Sequence, residues 1–314
     1  ALKNGRFFHI YPDPESNQLR DALSDYTRMP KERLLTGMGA DELIDLVLRA
    51  VLSPGDVVID CPPSFGMYPF STAVNSGQYV PVWRKDNFSL DVEGIETAVA
   101  QNPNAKILFL CSPNNPDGST IRDADLRRLL KLPVLVVLDE AYADFDLGTD
   151  AQAKEHMAWA LAYDNLAVLR TFSKLAGLAG LRVGYGAFPE WLLPHLWKIK
   201  QPYNINVAAS LAALASLEDQ KWLQEKVRLL VTERKRLFTE LGTIGYLNPF
   251  PSHSNFILCR VVGRDARQLK LDLEQAGILV RYFNKLGLDN CIRISAGRPE
   301  ETDKLIAALH RIGE

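Results

Sequence analysis

The 314-residue sequence predicts an α/β fold, a mainly parallel central sheet flanked by helices, followed by a smaller C-terminal α+β unit. Three observations carry this. Short apolar runs alternate with amphipathic stretches from about residue 33 to residue 188, the pattern of a wound parallel sheet. The polar residues Asn115, Asp139, Tyr142 and Lys174 each follow an apolar run closely, and such sheets bind ligands beyond the carboxyl ends of their strands. After about residue 200 the pattern changes to long helices and then short strands with helices between them.

In order, residues 1–18 read as irregular, because Tyr11-Pro12-Asp13-Pro14 is a stiff turn that cannot be helical. A helix over 19–26 and a strand at 33–36 precede Gly37-Met38-Gly39-Ala40-Asp41-Glu42. A helix follows with Leu43, Leu46, Val47 and Ala50 on one face, ended by Pro54-Gly55. Strands are predicted at 56–60, 78–82, 106–111, 134–139, 166–171 and 183–188. The helices between them are predicted at 65–75, 92–100, 123–130 and 151–162. Then come helices at 206–217 and 219–241, strands at 255–260, 278–281 and 291–295, and helices near 266–276 and 300–311. The expected division is an N-terminal arm (1–29), a large domain (30–203) and a small domain (204–314).

Composition narrows the function. Hydrophobic residues make up 47% and charged residues 24% of the chain, ordinary for a soluble enzyme. A net charge of −2 without a basic stripe argues against a nucleic-acid partner. The four cysteines are far apart and form no C-x-x-C, so neither a zinc knuckle nor a disulfide framework is expected; they suit a reducing compartment such as the cytoplasm. No H-x-x-x-H pair, no G-x-S-x-G and no apolar run of 18 residues occurs, which speaks against a metal site, a hydrolase elbow and a membrane helix. No signal peptide is visible at Ala1.

The chemistry centres on the stretch from Arg170 to Gly184. Thr171, Ser173 and Lys174 stand at the end of a buried strand, and Arg182 lies eight residues after the lysine. A lysine amine forms an imine with an aldehyde, and two hydroxyls with an arginine hold a phosphate beside it. Imine plus phosphate is what pyridoxal 5'-phosphate (PLP) asks of a protein. Most lysines are solvated surface charges, so Lys174 gains weight from its company. Gly39, Ala40 and Asp41 open a helix whose N–H groups and dipole suit an anion. Asp139 at a strand end suits a pyridine nitrogen that must stay protonated; a protonated ring draws electrons from a carbanion. Asn115 and Tyr142 are able to donate to such a ring's 3'-oxygen, although Asn-Pro is also a common turn dipeptide; Phe65 by itself reads as core packing rather than as a ring-stacking partner.

Taken together, Tyr-Pro-Asp-Pro (11–14), Gly-Ala-Asp-Glu (39–42), Ser-Pro-Asn-Asn-Pro-Asp-Gly (112–118), Asp-Glu-Ala-Tyr (139–142) and Ser-Lys-x-x-x-Leu-Ala-Gly-Leu-Arg (173–182) resemble the fold-type-I PLP-dependent aminotransferases. Within them the likeness is greatest to the histidinol-phosphate aminotransferase family. It covers the chain from about Tyr11 to Ala308 and implies an aspartate aminotransferase-like fold. It also implies transamination between histidinol phosphate or imidazole-acetol phosphate and glutamate or 2-oxoglutarate. The resemblance assigns Lys174, Asp139 and Tyr142 to catalysis. It assigns Gly39, Ala40, Asp41, Phe65, Asn115, Thr171, Ser173 and Arg182 to the cofactor. Arg281 and Arg293 match arginines that hold the substrate's anionic end, with Asn115 nearby. Tyr11 matches a tyrosine that reaches a neighbouring subunit's cofactor phosphate and substrate, which implies a homodimer with shared sites. An Asn-Glu-Asn-Pro-like segment that the family carries ahead of this point, over the substrate, has no match within these residues.

Within this fold, an aromatic aminotransferase and a threonine-phosphate decarboxylase are the alternatives. An NAD(P)-dependent oxidoreductase is the rival of another class, from Gly37-x-Gly39 between strand and helix with Asp60 at the end of the next strand. That fingerprint wants a small residue at position 42, where Glu42 stands, and it leaves Lys174, Asp139 and Asn115 without work. A non-catalytic binding protein on the same fold is a third reading; no residue in the motifs disables chemistry.

Overall fold

The computed structural model describes residues 8–146 and 152–313. Its first part runs α1 (Asn17–Thr27), β1 (Leu34–Gly37), α2 (Gly39–Val51), β2 (Val57–Asp60), α3 (Met67–Val74), β3 (Gln78–Pro81), α4 (Val92–Gln101), β4 (Ala105–Cys111), α5 (Asp123–Leu129), β5 (Leu135–Asp139), α6 (Gln152–Trp159), β6 (Leu166–Thr171), β7 (Gly184–Ala187) and α7 (Leu193–Ile199). The second part runs α8 (Val207–Glu218), α9 (Gln220–Gly242), β8 (Leu247–Pro249), β9 (Phe256–Val261), α10 (Ala266–Gln275), β10 (Arg281–Phe283), β11 (Cys291–Ser295) and α11 (Pro299–Gly313).

Seven strands form one sheet in the order β1-β7-β6-β5-β4-β2-β3. Only β7 runs against its neighbours, β6 and β1; the other pairings are parallel. The strands read as near-continuous apolar runs because both faces are covered. Ile59, Leu108, Leu110, Val136, Leu138 and Val168 point to one face, beneath α1, α4, α5 and α8. Val58, Ile107, Phe109, Val137, Ala167 and Leu169 point to the other, beneath α2, α3 and α7. Strand neighbours thus alternate between two cores, as the two-residue period requires.

The second sheet is antiparallel, in the order β10-β11-β9-β8, and packs one face on α9, α10 and α11. The two sheets meet where Tyr142, Phe145, Val227, Val231 and Phe256 share a cluster. Arg234 of α9 ties the junction by donating Nη1 to Phe145 O (3.1 Å) and Ser254 O (2.6 Å).

Several expectations shift. The helix predicted from residue 65 starts at Met67, because Ser64 turns back to donate to the Asp60 carboxylate (2.8 Å). The strand predicted at 278–281 occupies Arg281–Phe283 instead. Gly277 takes φ +75° and Ile278 N–H is used on Leu273 O, closing α10. Helix α7 was hidden by Pro194, which reads as a breaker but sits in the first turn, where a missing N–H costs little. Strand β8, three residues ending in Pro249, is too short to show a period. In the helix predicted at 151–162, residue 151 lies outside the described residues. No helix among the described residues is long and apolar enough to cross a membrane.

Candidate active site

The carboxyl ends of the parallel strands open into one pocket, lined by residues from five separate stretches of the chain. Strand β5 ends in Asp139, paired in register with Cys111 at the end of β4 and followed within three residues by Tyr142. Strand β6 ends in Thr171, and the next turn brings Ser173 and Lys174. Helix α2 delivers Ala40 and Asp41, and the turn before α3 delivers Phe65.

At one end Arg182 faces the start of α2. Its backbone is left-handed (φ 56°), which turns the side chain inward. Nη2 donates to Asp41 Oδ2 at 2.7 Å and Nη1 to Ser173 Oγ at 3.5 Å. Thr171 Oγ1 lies 2.9 Å from Ser173 Oγ and accepts the Ser173 N–H at 3.1 Å. Gly39 is required here. It has φ +72°, and a Cβ on it would lie 2.6 Å from Arg182 Nη2. An arginine, two hydroxyls and the first N–H groups of a 13-residue helix make this an anion-holding end.

At the other end Asp139 is 3% exposed. Its Oδ1 accepts the Ala141 N–H (3.0 Å) and its Oδ2 accepts the Tyr68 hydroxyl (2.7 Å). Burial pushes the carboxyl's pKa above its ordinary value, against the bonds from Tyr68 and Ala141. Between the ends, Lys174 Nζ lies 5.3 Å from the centre of the Tyr142 ring. Burial, with the positive charge of Arg293, lowers the Lys174 pKa, so more of the amine is neutral and nucleophilic. Burial pushes the Tyr142 phenol up to about 12, so it stays a donor.

The second sheet meets the pocket through its lining residue Asn115. Arg293 of β11 donates Nη1 to Asn115 Oδ1, and its guanidinium lies 4.5 Å from the centre of the Phe256 ring. Among the described residues its buried Nε has no partner. Arg281 stands directly opposite Arg293 across the β10–β11 ladder. Like charges so placed repel, and among the described residues neither has a carboxylate within ion-pair reach. An anion between them would relieve both.

Of the residues singled out in the sequence, Lys174, Asp139, Tyr142, Asn115, Phe65, Ala40, Asp41, Thr171, Ser173 and Arg182 line one pocket. Gly39 abuts it through Arg182. Arg293 reaches it through Asn115, and Arg281 stands one strand further out, exposed. Tyr11 is not brought to this pocket. It is 79% exposed and stacks on Tyr203 at 4.7 Å. Sequence reasoning gave no role to Tyr68, which is fully buried on α3. The available signal was the tyrosine that ends Pro62-Pro63-Ser64-Phe65-Gly66-Met67-Tyr68, whose hydroxyl needs a partner once buried.

These residues fit PLP. A phosphate matches the Arg182 end, a ring nitrogen matches Asp139, and an amine for the aldehyde stands between. Asn115, with its Oδ1 occupied by Arg293, keeps its NH₂ for the ring's oxygen.

A family model described as aminotransferase class I and II matches residues 2–309. Histidinol-phosphate aminotransferase 1, chloroplastic, of Arabidopsis thaliana is 51% identical over 310 residues, covering 98% of this chain and 73% of the relative. Histidinol-phosphate aminotransferase of Roseiflexus castenholzii is 49% identical over 308 residues, 97% of this chain and 81% of the relative. Among solved structures, histidinol-phosphate aminotransferase of Sinorhizobium meliloti in complex with pyridoxal-5'-phosphate superposes with a TM-score of 0.87 at 29% identity, covering 98% of this chain and 83% of that one. The matches span both sheets, and the chain belongs to the class I and II aminotransferases, among them to the histidinol-phosphate aminotransferase family.

Proposed function

We propose that this chain is a PLP-dependent aminotransferase that exchanges an amino group between L-histidinol phosphate and 2-oxoglutarate, working as a homodimer. The observation that carries the substrate assignment is the Arg281–Arg293 pair beside the pocket, two facing cations with no carboxylate partner among the described residues, one of them bonded to the lining residue Asn115. Arginine's planar fork engages a phosphate or a carboxylate. One pair thus serves both the phosphorylated amine and the dicarboxylic keto acid. In the aromatic aminotransferase reading the amino-acid substrate carries one carboxylate, and the second arginine would have work only with the dicarboxylic keto acid.

When bound, PLP supplies an aldehyde for the amino group and an electron-withdrawing ring. Arg182, Ser173, Thr171 and the N–H groups of Ala40 and Asp41 would hold its phosphate, with Gly39 leaving the room. Asp139 would keep a proton on the ring nitrogen. Asn115 and Tyr142 would donate to the ring oxygen, and Phe65 would cover a ring face and exclude water. Lys174 would hold the cofactor covalently. Once displaced by substrate, its amine would take the proton from the substrate carbon and return it one carbon away.

Tyr11 is proposed to act in the partner's site. Its exposed stack on Tyr203 leaves the ring accessible to a second subunit. The division into an arm, a large domain to residue 203 and a small domain is proposed from the two separate sheets. The proposed compartment is the cytoplasm, with a plastid as the alternative suggested by plant relatives named chloroplastic.

Purified protein given PLP, histidinol phosphate and 2-oxoglutarate should form glutamate, and Lys174→Ala with an unchanged melting temperature should not. No glutamate from the wild type, or substantial turnover by Lys174→Ala, would overturn the reading.

A further inference from the structure

We propose that Tyr68 is a positioning residue for Asp139. Its hydroxyl fixes the orientation of the carboxylate at the pocket floor by donating to one of its two oxygens. The inference rests on the proposed reaction for the role of Asp139.

Tyr68 has little freedom to do anything else. It is fully buried. Its ring lies flat on Phe109 of β4, centroids 4.6 Å apart and planes within 3°. Phe65, which lines the pocket, meets it edge-on at 5.6 Å. This packing aims the hydroxyl at Asp139 Oδ2, 2.7 Å away. The other oxygen, Oδ1, is held by the Ala141 N–H. Each oxygen thus has one fixed donor, and the carboxylate plane cannot turn without breaking one of them. The residue three positions earlier, Phe65, is the one proposed to cover the ring, so one turn of chain packs both the ring face and the ring-nitrogen partner.

The ionic surroundings make the hydroxyl matter. Among the described residues no cation is within ion-pair reach of Asp139. Asp41 of α2 and Glu140, next along the chain, both disfavour its charge. Cys111 of β4 and Tyr142 face it as neutral groups, their protons held by burial. Lys174 favours its charge from a distance. Against burial, the two hydrogen bonds are the local groups that stabilise the carboxylate over the acid. Tyr68, whose own pKa burial and Asp139 push far up, remains a donor at all working pH.

Tyr68→Phe keeps both ring contacts and deletes one donor. The pH at which Asp139 protonates should rise by roughly one to two units, since a hydrogen bond to a charged group is at stake. Difference infrared spectroscopy of the cofactor-free protein, referenced to Asp139→Asn, reads this directly as the pH at which the carboxylic-acid stretch appears. In the loaded enzyme the acid limb of kcat/KM should move up alongside it, and kcat should fall more than KM rises. In the Asp139→Asn background, Tyr68→Phe should cost almost nothing further, because its effect runs through the carboxylate. The proposal is overturned if Asp139 titrates at the same pH in both proteins. It is equally overturned if the two substitutions lower activity independently, or if the loss simply follows a fall in melting temperature. A fully active Asp139→Asn would count instead against the proposed reaction, and the infrared titration then decides the Tyr68 coupling by itself.

Discussion

Gly184→Ala tests how the sheet builds the anion-holding end. Gly184 opens β7, pairing with Thr171 of β6 on one side and Gly37 of β1 on the other. A Cβ there would lie 2.7 Å from Gly39 C, 2.8 Å from Ala40 N and 2.9 Å from Arg170 O. All three are backbone atoms, so no side chain can swing aside. Relief requires the start of α2 to move away from β6, and with it the Ala40 and Asp41 N–H groups from Thr171, Ser173 and Arg182. Overpacking of this kind costs about 1–3 kcal/mol, and at about 2.1 cal/mol/K of unfolding entropy per residue a 314-residue chain loses roughly 1.5 °C of Tm per kcal/mol. The apo-protein should therefore melt roughly 1.5–5 °C lower. Weakening one charge-assisted bond to the phosphate, worth about 1.5–3 kcal/mol, should raise the PLP Kd about tenfold or more. Gly180→Ala is the control, in the same stretch but with nothing within 4 Å of a built Cβ. Absorbance titration of PLP onto the apo-proteins, with melting curves beside it, gives both quantities. Wild-type Kd in Gly184→Ala would refute the claim that this close approach sets the phosphate end.

Three further outcomes are expected. Asp139→Asn should still bind PLP yet lose at least roughly tenfold in kcat, about 1.4 kcal/mol of barrier; a smaller loss in a turnover assay would make Asp139 structural. Mixing inactive Lys174→Ala subunits with inactive Tyr11→Ala subunits should restore activity, because one heterodimer site is then intact; no recovery under demonstrated subunit exchange would remove Tyr11 from the partner's site. His156 sits between Glu140 (Nδ1, 2.7 Å) and Asp123 (Nε2, 3.3 Å), and although burial lowers its pKa, these partners leave it raised overall. Its contribution to stability should be full below its unfolded value of about 6.5 and fade as pH rises through the higher folded value. The Tm gap between wild type and His156→Gln should thus be largest near pH 6 and shrink toward pH 9, and a gap that does not change with pH would contradict this.

The fold was legible wherever both faces of a strand are covered, because β2, β4, β5 and β6 then read as unbroken apolar runs. It was least legible in β8 and α7, one too short for a period and one masked by a proline. The pocket was legible because its residues fall just past strand ends: Asp139 after β5, Asn115 after β4, Lys174 after β6. Glu140 shows the limit. It looks like part of the same acidic motif, yet it points away from the pocket into Arg170 and His156; despite burial, these hold its carboxyl below the usual range. Tyr68 shows the converse, a residue that reads as core and bonds the site's carboxylate. Both depend on which way a side chain points at a strand or helix end, and no spacing encodes that. The facing of Arg281 and Arg293 likewise needed the register of β10 on β11, shifted from the expected strand.

The central claim is that two facing arginines adapt an aminotransferase pocket to a phosphorylated substrate. It is tested most directly by kcat/KM for histidinol phosphate and for phenylalanine, in the wild type and in Arg281→Gln. The wild type should prefer histidinol phosphate. Losing a charge-assisted contact of about 1.5–3 kcal/mol should lower its kcat/KM by roughly one to two orders of magnitude, and phenylalanine should suffer less. Equal losses for both substrates, or a wild type that prefers phenylalanine, would contradict the account and move this chain to the aromatic aminotransferases.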